Sequence, residues 1–275
     1  MASVYTIAWR VGALLALLLY YSGIVWLYGV IRKSILSQYR LTILMYHRVR
    51  DDSVDPDMSV STTHFDRQMG LLSKSFDVIS LAEVVELLNG DRSLRRDTVA
   101  ITFDDGYQDN YVNAFPILNK HGLTATVFII SGRVGEEGML SLTEIKEMRR
   151  AGWEIGSHTI THPILKDLSD EAAKREIVDS KRDLEALLGE EINVFAYPKG
   201  KKLVHLDDRD VSLVREAGYR AAVVTDNGWI DRGSDPCQLR RIGIRNVPMF
   251  VVKARLSGIF ESYPFRKLRA VAGLH

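Results

Sequence analysis

Val99-Ala100-Ile101-Thr102-Phe103-Asp104-Asp105-Gly106 is the stretch on which the reading of this chain turns. An apolar strand runs straight into two carboxylates and a glycine. Chemistry in parallel α/β sheets gathers beyond the carboxyl ends of the strands, so Asp104 and Asp105 stand where an active site is expected. Adjacent carboxylates repel each other. A cation removes the conflict by binding one and leaving the other free as a base. A surface Asp-Asp-Gly turn fits the same letters, so the pair needs support from elsewhere in the chain.

That support lies about 50 residues on. Residues 153–157 read as a second strand, and it ends in His158-Thr159-Ile160-Thr161-His162-Pro163. Histidines four apart can turn to one side and grip one ion. Pro163 disfavours helical geometry at His162, so a bent loop is expected rather than a regular helix. Asp105, His158 and His162 together supply three ligands, which leaves positions open for water and substrate, as a catalytic zinc site requires.

Outward from these two segments, short apolar runs alternate with helical patterns. Strands are expected at 41–46, 99–103, 125–130, 153–157, 194–197, 221–225 and 241–244. Helices are expected at 63–73, 81–88, 110–120, 142–151, 170–188, 208–217 and 248–257. Ser80 with Glu83, and Ser141 with Glu144, have capping-box spacing. Gly122, Gly152, Gly189 and Gly218 follow helical runs, where a left-handed residue ends a helix. Such alternation implies a parallel sheet, either a barrel or a doubly wound layer.

The 275 residues carry a net charge of +1, so no global charge argument favours nucleic acid, and none is expected as a partner. Cys237 is the only cysteine, which excludes an intramolecular disulfide. Residues 11–31 contain no charge. At about 1.5 Å per residue they reach roughly 31 Å, enough to cross a hydrocarbon core. Trp9, Trp26 and Tyr28 lie towards the ends, where aromatic rings favour the interface. A cleaved signal peptide or a buried helix are the other readings. The expected organisation is an anchor and juxtamembrane segment over 1–40, followed by one catalytic domain over 41–275. Arg10 on one side and Arg32, Lys33 and Arg40 on the other leave the orientation in the bilayer open.

Thr102-Phe103-Asp104-Asp105-Gly106 and His158-Thr159-Ile160-Thr161-His162 resemble the first two motifs of the polysaccharide deacetylases. The resemblance runs from about residue 41 to 244 and implies a distorted (β/α) barrel, here preceded by one transmembrane helix, that hydrolyses an N-acetyl group. By that resemblance Asp104 is the general base, and Asp105, His158 and His162 hold a divalent metal: zinc first, with cobalt, nickel or iron as alternatives. Phe195-Ala196-Tyr197-Pro198-Lys199-Gly200 is similar to a third motif, whose turn would offer the Lys199 N–H to an oxyanion.

Two departures stand beside these matches. The family's usual arginine, two residues before that proline, is replaced by Ala196. Arg240 or Arg241 from the last strand are the candidates to substitute, with Arg241 preferred and a solvated strand-end charge as its alternative. The family's late histidine is also missing. Ile43-Leu44-Met45-Tyr46-His47 resembles the opening strand of a branch in which a first-strand histidine acts as the acid, which nominates His47. Asp226, Trp229 and Asp231 are candidate sugar contacts, and Lys199, Lys201 and Lys202 form a small basic cluster. The expected substrate is an acetylated amino-sugar glycan of the cell envelope, met by an extracytoplasmic domain. A deacylase of lipid-linked sugar, or a tethered glycan-binding protein without turnover, are the alternatives.

Overall fold

The computed structural model describes residues 14–36, 38–52, 58–90 and 94–259. The chain divides into two compact units. Arg40–Asn246 forms one, and the two chain ends, through Tyr39 and from Val247, form the other. Described residues 247–259, expected to continue the catalytic domain, therefore group with the N-terminal residues.

In the unit of the chain ends, α1 (Leu14–Tyr21) is followed by α2 (Ile24–Val30), which continues as a π-helical turn (Ile31–Ile35). Gly23 between them takes φ 78°, a left-handed geometry that breaks the helix. The single straight span expected over 11–31 is accordingly replaced by two pieces bent by 64°, and its residues 11–13 lie outside the described residues. Among the described residues no single helix is long and apolar enough to cross a membrane, although the two bent pieces together have the length and composition for it.

In the larger unit strands and helices largely alternate from β1 (Leu41–Tyr46) onward. A two-residue ribbon, β2 (Arg48–Val49) with β3 (Ser59–Val60), precedes α3 (Thr62–Ser75), β4 (Asp77–Ile79) and α4 (Leu81–Leu88). Then come β5 (Thr98–Phe103), a π-helical turn (Asn110–Ala114), α5 (Phe115–Lys120), β6 (Thr126–Ile129), α6 (Leu142–Arg150) and β7 (Glu154–Ser157). Next are α7 (Asp170–Leu188), β8 (Val194–Ala196), α8 (Asp208–Glu216), β9 (Ala221–Val223) and β10 (Ile242–Gly243). The smaller unit takes the last helix, α9 (Met249–Ser257). There, Lys253 Nζ donates to the Tyr20 hydroxyl at 3.0 Å.

The main sheet runs β10-β1-β5-β6-β7-β8-β9, with β4 beside the first half of β5, and every pair is parallel. It curls until its ends almost meet. Leu239 donates to the Ala222 carbonyl at 2.8 Å and accepts from the Val224 N–H at 2.9 Å, which ties β9 to the segment entering β10. The result is the distorted barrel expected from the sequence.

Alternation along the strands sorts side chains between interior and helix layer. Ile43, Ala100, Phe128, Val194, Ala196, Val223 and Leu239 fill the interior, and Leu81 and Val84 of α4 join the same cluster. Gly156 is required here, because a Cβ would lie 2.5 Å from the Phe128 ring. On the other face Phe103 stacks between Tyr46 and Trp153, at 5.5 Å from each. One residue beyond Phe103 the chain turns back to the interior face, which is where Asp104 arrives. Capping boxes at Ser80–Glu83 and Ser141–Glu144 start α4 and α6 as their spacing implied. A third, at Asp207–Asp210, starts α8.

Candidate active site

Asp104 leaves β5 pointing into the barrel, 2% exposed as a residue, and meets Arg241. The guanidinium donates to both carboxylate oxygens, at 2.6 and 2.7 Å, and also to Thr102 Oγ1 at 3.0 Å and the Val224 carbonyl at 3.1 Å. Arg241 is 0% exposed, so it is not a solvated strand-end charge. Burial pushes the Asp104 carboxyl up, but Arg241 outweighs it and the net displacement is downward, which keeps the group ionised at neutral pH. The guanidinium that the family carries at the Ala196 position thus enters from another strand, at the seam where β9 meets the segment entering β10.

Asp105 turns the other way because it takes φ 73°, and the following Gly106 takes φ 72°. One peptide therefore sends two carboxylates to two different partners. The Asp105 Oδ1 lies 3.5 Å from His158 Nε2 and 3.4 Å from His162 Nε2, and the three ligand-capable atoms all fall within 4.8 Å of one another. His158 Nδ1 is 2.7 Å from the Ala196 carbonyl. A carbonyl only accepts, so Nδ1 carries a proton, which leaves Nε2 as the nitrogen that faces Asp105 and would bind a metal. Burial raises the Asp105 carboxyl, yet the hydrogen bond and charge of His158, with His47 and His162 behind, hold it well below its ordinary value. Burial, then the charge of His158, brings His162 down to about 4, so it is neutral at pH 7. An ionised carboxylate and two imidazoles at this spacing fit zinc, and equally cobalt, nickel or iron.

The histidine loop is bent, as Pro163 implied, and every part of it is held. Thr159 and His162 take φ 66° and 63°. The Thr159 hydroxyl accepts from the His162 N–H at 3.0 Å. Glu176, from α7, accepts from the N–H groups of Ile160 and Thr161 at 2.8 and 3.0 Å and from the Thr161 hydroxyl at 2.8 Å. From the other side, Ser131 and Gly132 donate to the Thr159 and Ile160 carbonyls at 3.0 and 3.1 Å. A Cβ on Gly132 would sit 2.6 Å from the Ile160 oxygen. Glu176 escaped the sequence reading, since a helix-borne glutamate has no mark of its own beyond distance from the motif.

His47 leaves the tip of β1 with its side chain 24% exposed, and its Nε2 is 3.9 Å from Asp104 Oδ2. Burial lowers its pKa, opposed by the charges of Asp104 and Asp105. Lys199 takes φ 58° in the Pro198-Lys199-Gly200 turn, which Thr225 fixes by donating its N–H to the Gly200 carbonyl and its hydroxyl to the Lys199 carbonyl. Among the described residues, nothing accepts from the Lys199 N–H.

Of the candidate sugar contacts, Asp226 receives the Lys202 N–H at 2.9 Å and so braces the loop after this turn. Trp229 is elsewhere. Its neighbour Ile230 pairs with Leu41 at the start of β1, and Arg40 covers its ring at 4.6 Å, so it belongs to the end of the barrel opposite His47. Asp231 accepts from Gly233 and Ser234 in a local turn.

A parallel α/β barrel whose mouth joins a guanidinium-held carboxylate to a carboxylate–imidazole cluster is the framework of a metal-assisted hydrolase. Comparison with known proteins narrows that class. The family model for polysaccharide deacetylase matches residues 91–222. YxkH of Bacillus subtilis, whose name assigns it provisionally to the polysaccharide deacetylases, is 30% identical over 74% of this chain and 71% of its own length. The poly-beta-1,6-N-acetyl-D-glucosamine N-deacetylase of Staphylococcus aureus (strain MSSA476) is 29% identical over 79% of this chain and 83% of its own. Among solved structures, the Streptococcus pyogenes deacetylase PplD in complex with acetate superposes with a TM-score of 0.70 at 29% identity, covering 75% of this chain and 92% of that one. This chain belongs to the polysaccharide deacetylase family and is an enzyme of that kind.

Proposed function

We propose that the enzyme hydrolyses N-acetyl groups on an amino-sugar polymer of the cell envelope, with β-1,6-linked poly-N-acetylglucosamine as the first candidate. The observation that carries this reading is the mouth itself: Asp104 held ionised by Arg241, one residue from the Asp105–His158–His162 cluster, with His47 facing the same space. The named activity of the staphylococcal relative supports the choice of polymer.

Asp105, His158 and His162 would hold a divalent metal, zinc first, which supplies Lewis acidity towards water and the acyl oxygen. Asp104 takes the proton from the attacking water. Its carboxylate is oriented for this because Arg241 occupies both oxygens in a fixed fork. The Lys199 N–H, held in a left-handed turn, donates to the oxygen that becomes negative as the carbonyl carbon turns tetrahedral. His47 gives its proton to the departing nitrogen, and acetate and a free amine result.

An acetate-release assay on acetylated β-1,6 and β-1,4 glucosamine oligomers, with and without chelator, tests the proposal. Release that depends on metal and favours one linkage supports it. Equal release after exhaustive chelation and verified metal removal would sink it. We further propose that the chain-end unit attaches the enzyme to a bilayer and that the catalytic unit faces outward. Support comes from the apolar composition of the bent α1–α2 pair and from the envelope location of such substrates. Protease access in intact against permeabilised cells decides this.

A further inference from the structure

The segment after Asp104-Asp105-Gly106 reaches back to the tip of β1 and takes hold of three consecutive residues there. Asn110 donates its side-chain amide to the His47 carbonyl at 2.8 Å. Asp109 accepts from Arg48 Nε at 2.7 Å and from the Val49 N–H at 2.9 Å. Asn113 donates to the Val49 carbonyl at 2.7 Å. The Arg48 guanidinium is placed a second time, over the Tyr107 ring at 4.3 Å. Tyr107, Asp109, Asn110 and Asn113 all belong to the stretch of chain that directly follows Asp105. The two sides of the mouth are thus fastened to each other, and 47–49 cannot shift without the segment that follows the aspartate pair.

Asn110 has a further peculiarity. It is fully buried, yet its Oδ1 finds no hydrogen-bond partner among the described residues. A stranded acceptor in the interior lowers stability, and an apolar residue would avoid it. What the asparagine supplies in return is the donor to the His47 carbonyl. The distorted winding serves the same end, because the π-helical turn starts at Asn110 and ends just beyond Asn113. π-Bulges of this kind are frequent at functional sites.

We infer that Asn110, assisted by Asp109 and Asn113, is a positioning residue for the proton that goes to the leaving amine. It fixes the backbone of His47 so that the imidazole stays at the mouth opposite Asp104. The inference rests on the reading of His47 as the acid. Proton transfer needs heavy atoms within about 3 Å, and misplacement by about 1 Å costs roughly 10²-fold.

The test uses the full-length, zinc-loaded protein and two substrates. An N-acetylglucosamine oligomer releases an amine, which departs only with a proton. 4-Nitrophenyl acetate releases a phenolate, which departs without one. The quantity read is the ratio of kcat on the amide to kcat on the ester, together with KM and bound zinc. His47→Ala should lower that ratio by roughly 10²-fold or more. Asn110→Ala should lower it by about tenfold through kcat, with KM and zinc as in the wild type. Asn113→Ala, at a half-buried position, should move it in the same direction by less, and it carries the test if Asn110→Ala does not fold. A wild-type ratio in both asparagine variants, or a parallel fall of both activities with loss of zinc, would overturn the inference. If His47→Ala also leaves the ratio unchanged, the acid assignment falls with it; a shift in His47→Ala alone removes only the clamp.

Discussion

The two ends of the barrel handle left-handed backbone in opposite ways. At the closed end the positive-φ residues between helix and strand are glycines: Gly122, Gly152, Gly189 and Gly218. At the mouth Gly106 and Gly200 do the same, but beside them stand Asp105, Thr159, His162, Lys199 and Leu203, which carry side chains. A residue with a Cβ in this conformation costs about 1–2 kcal/mol that glycine does not. The closed end accepts glycine because only the turn is needed there. At the mouth the side chains of Asp105, Thr159 and His162 are needed as well, and stability is given up for them.

The sharpest way to break this contrast is at Asp105. Asp105→Gly relaxes the backbone but deletes the carboxylate, and Asp105→Asn keeps the shape but removes the charge. Both should lower acetate release by about 10³-fold or more and lose zinc in a competition titration. Activity surviving in the glycine variant would mean that strain at this position serves only the turn.

Next in size is Arg241→Met. It leaves Asp104 buried without its counter-charge, and urea unfolding should register a loss of about 3–5 kcal/mol. The double variant Asp104→Asn with Arg241→Met should recover part of that loss while remaining inactive. Additive losses would show that the pair is not coupled.

Smaller effects come from exchanging the habits of the two ends. Leu203→Gly at the mouth should change stability by no more than about 1 kcal/mol, in the favourable direction, because released strain is partly offset by a freer unfolded chain. Gly152→Ala at the closed end would set its methyl in ordinary contact with Thr124, 3.5 Å away, but the residue takes φ 92°, and the variant should lose about 1 kcal/mol. A loss from Leu203→Gly together with no loss from Gly152→Ala would remove the contrast.

The smallest effect is in pH. The Asp104 carboxyl is lowered on folding, so its contribution to stability is complete above the ordinary aspartate value of about 3.9 and is lost as pH falls through the lower folded value. The unfolding free energy of the wild type should therefore drop more steeply than that of Asp104→Asn below about pH 4. Parallel curves there would contradict the pairing.

Much of this was legible in the letters because buried strands and capped helices leave local marks. The apolar run at 99–103, the two serine capping boxes and the proline after His162 each state a geometry within a few residues. Arg241 was reachable as well, through the absence of an arginine at Ala196. What stayed hidden is polar and long-range. Glu176, Asp109, Asn110 and Asn113 hold backbone groups of other segments, and nothing near them in sequence announces it. Trp229 misled for the converse reason: it follows a strand, but the chain there has already doubled back to pair with Leu41. The three-residue β4 is too short and too little buried to show a period.

The curled sheet also separates two kinds of order that a linear text confuses. Around a ring of parallel strands a guanidinium can be delivered to the same spot from any spoke whose tip faces the axis. Arg241 does so from the seam where Leu239 joins β9 to the entry of β10, while Ala196, on the spoke β8, contributes only its carbonyl. A search pattern that demands the arginine at one fixed place in the succession would miss Arg241; one that asks which groups converge on the axis would find it.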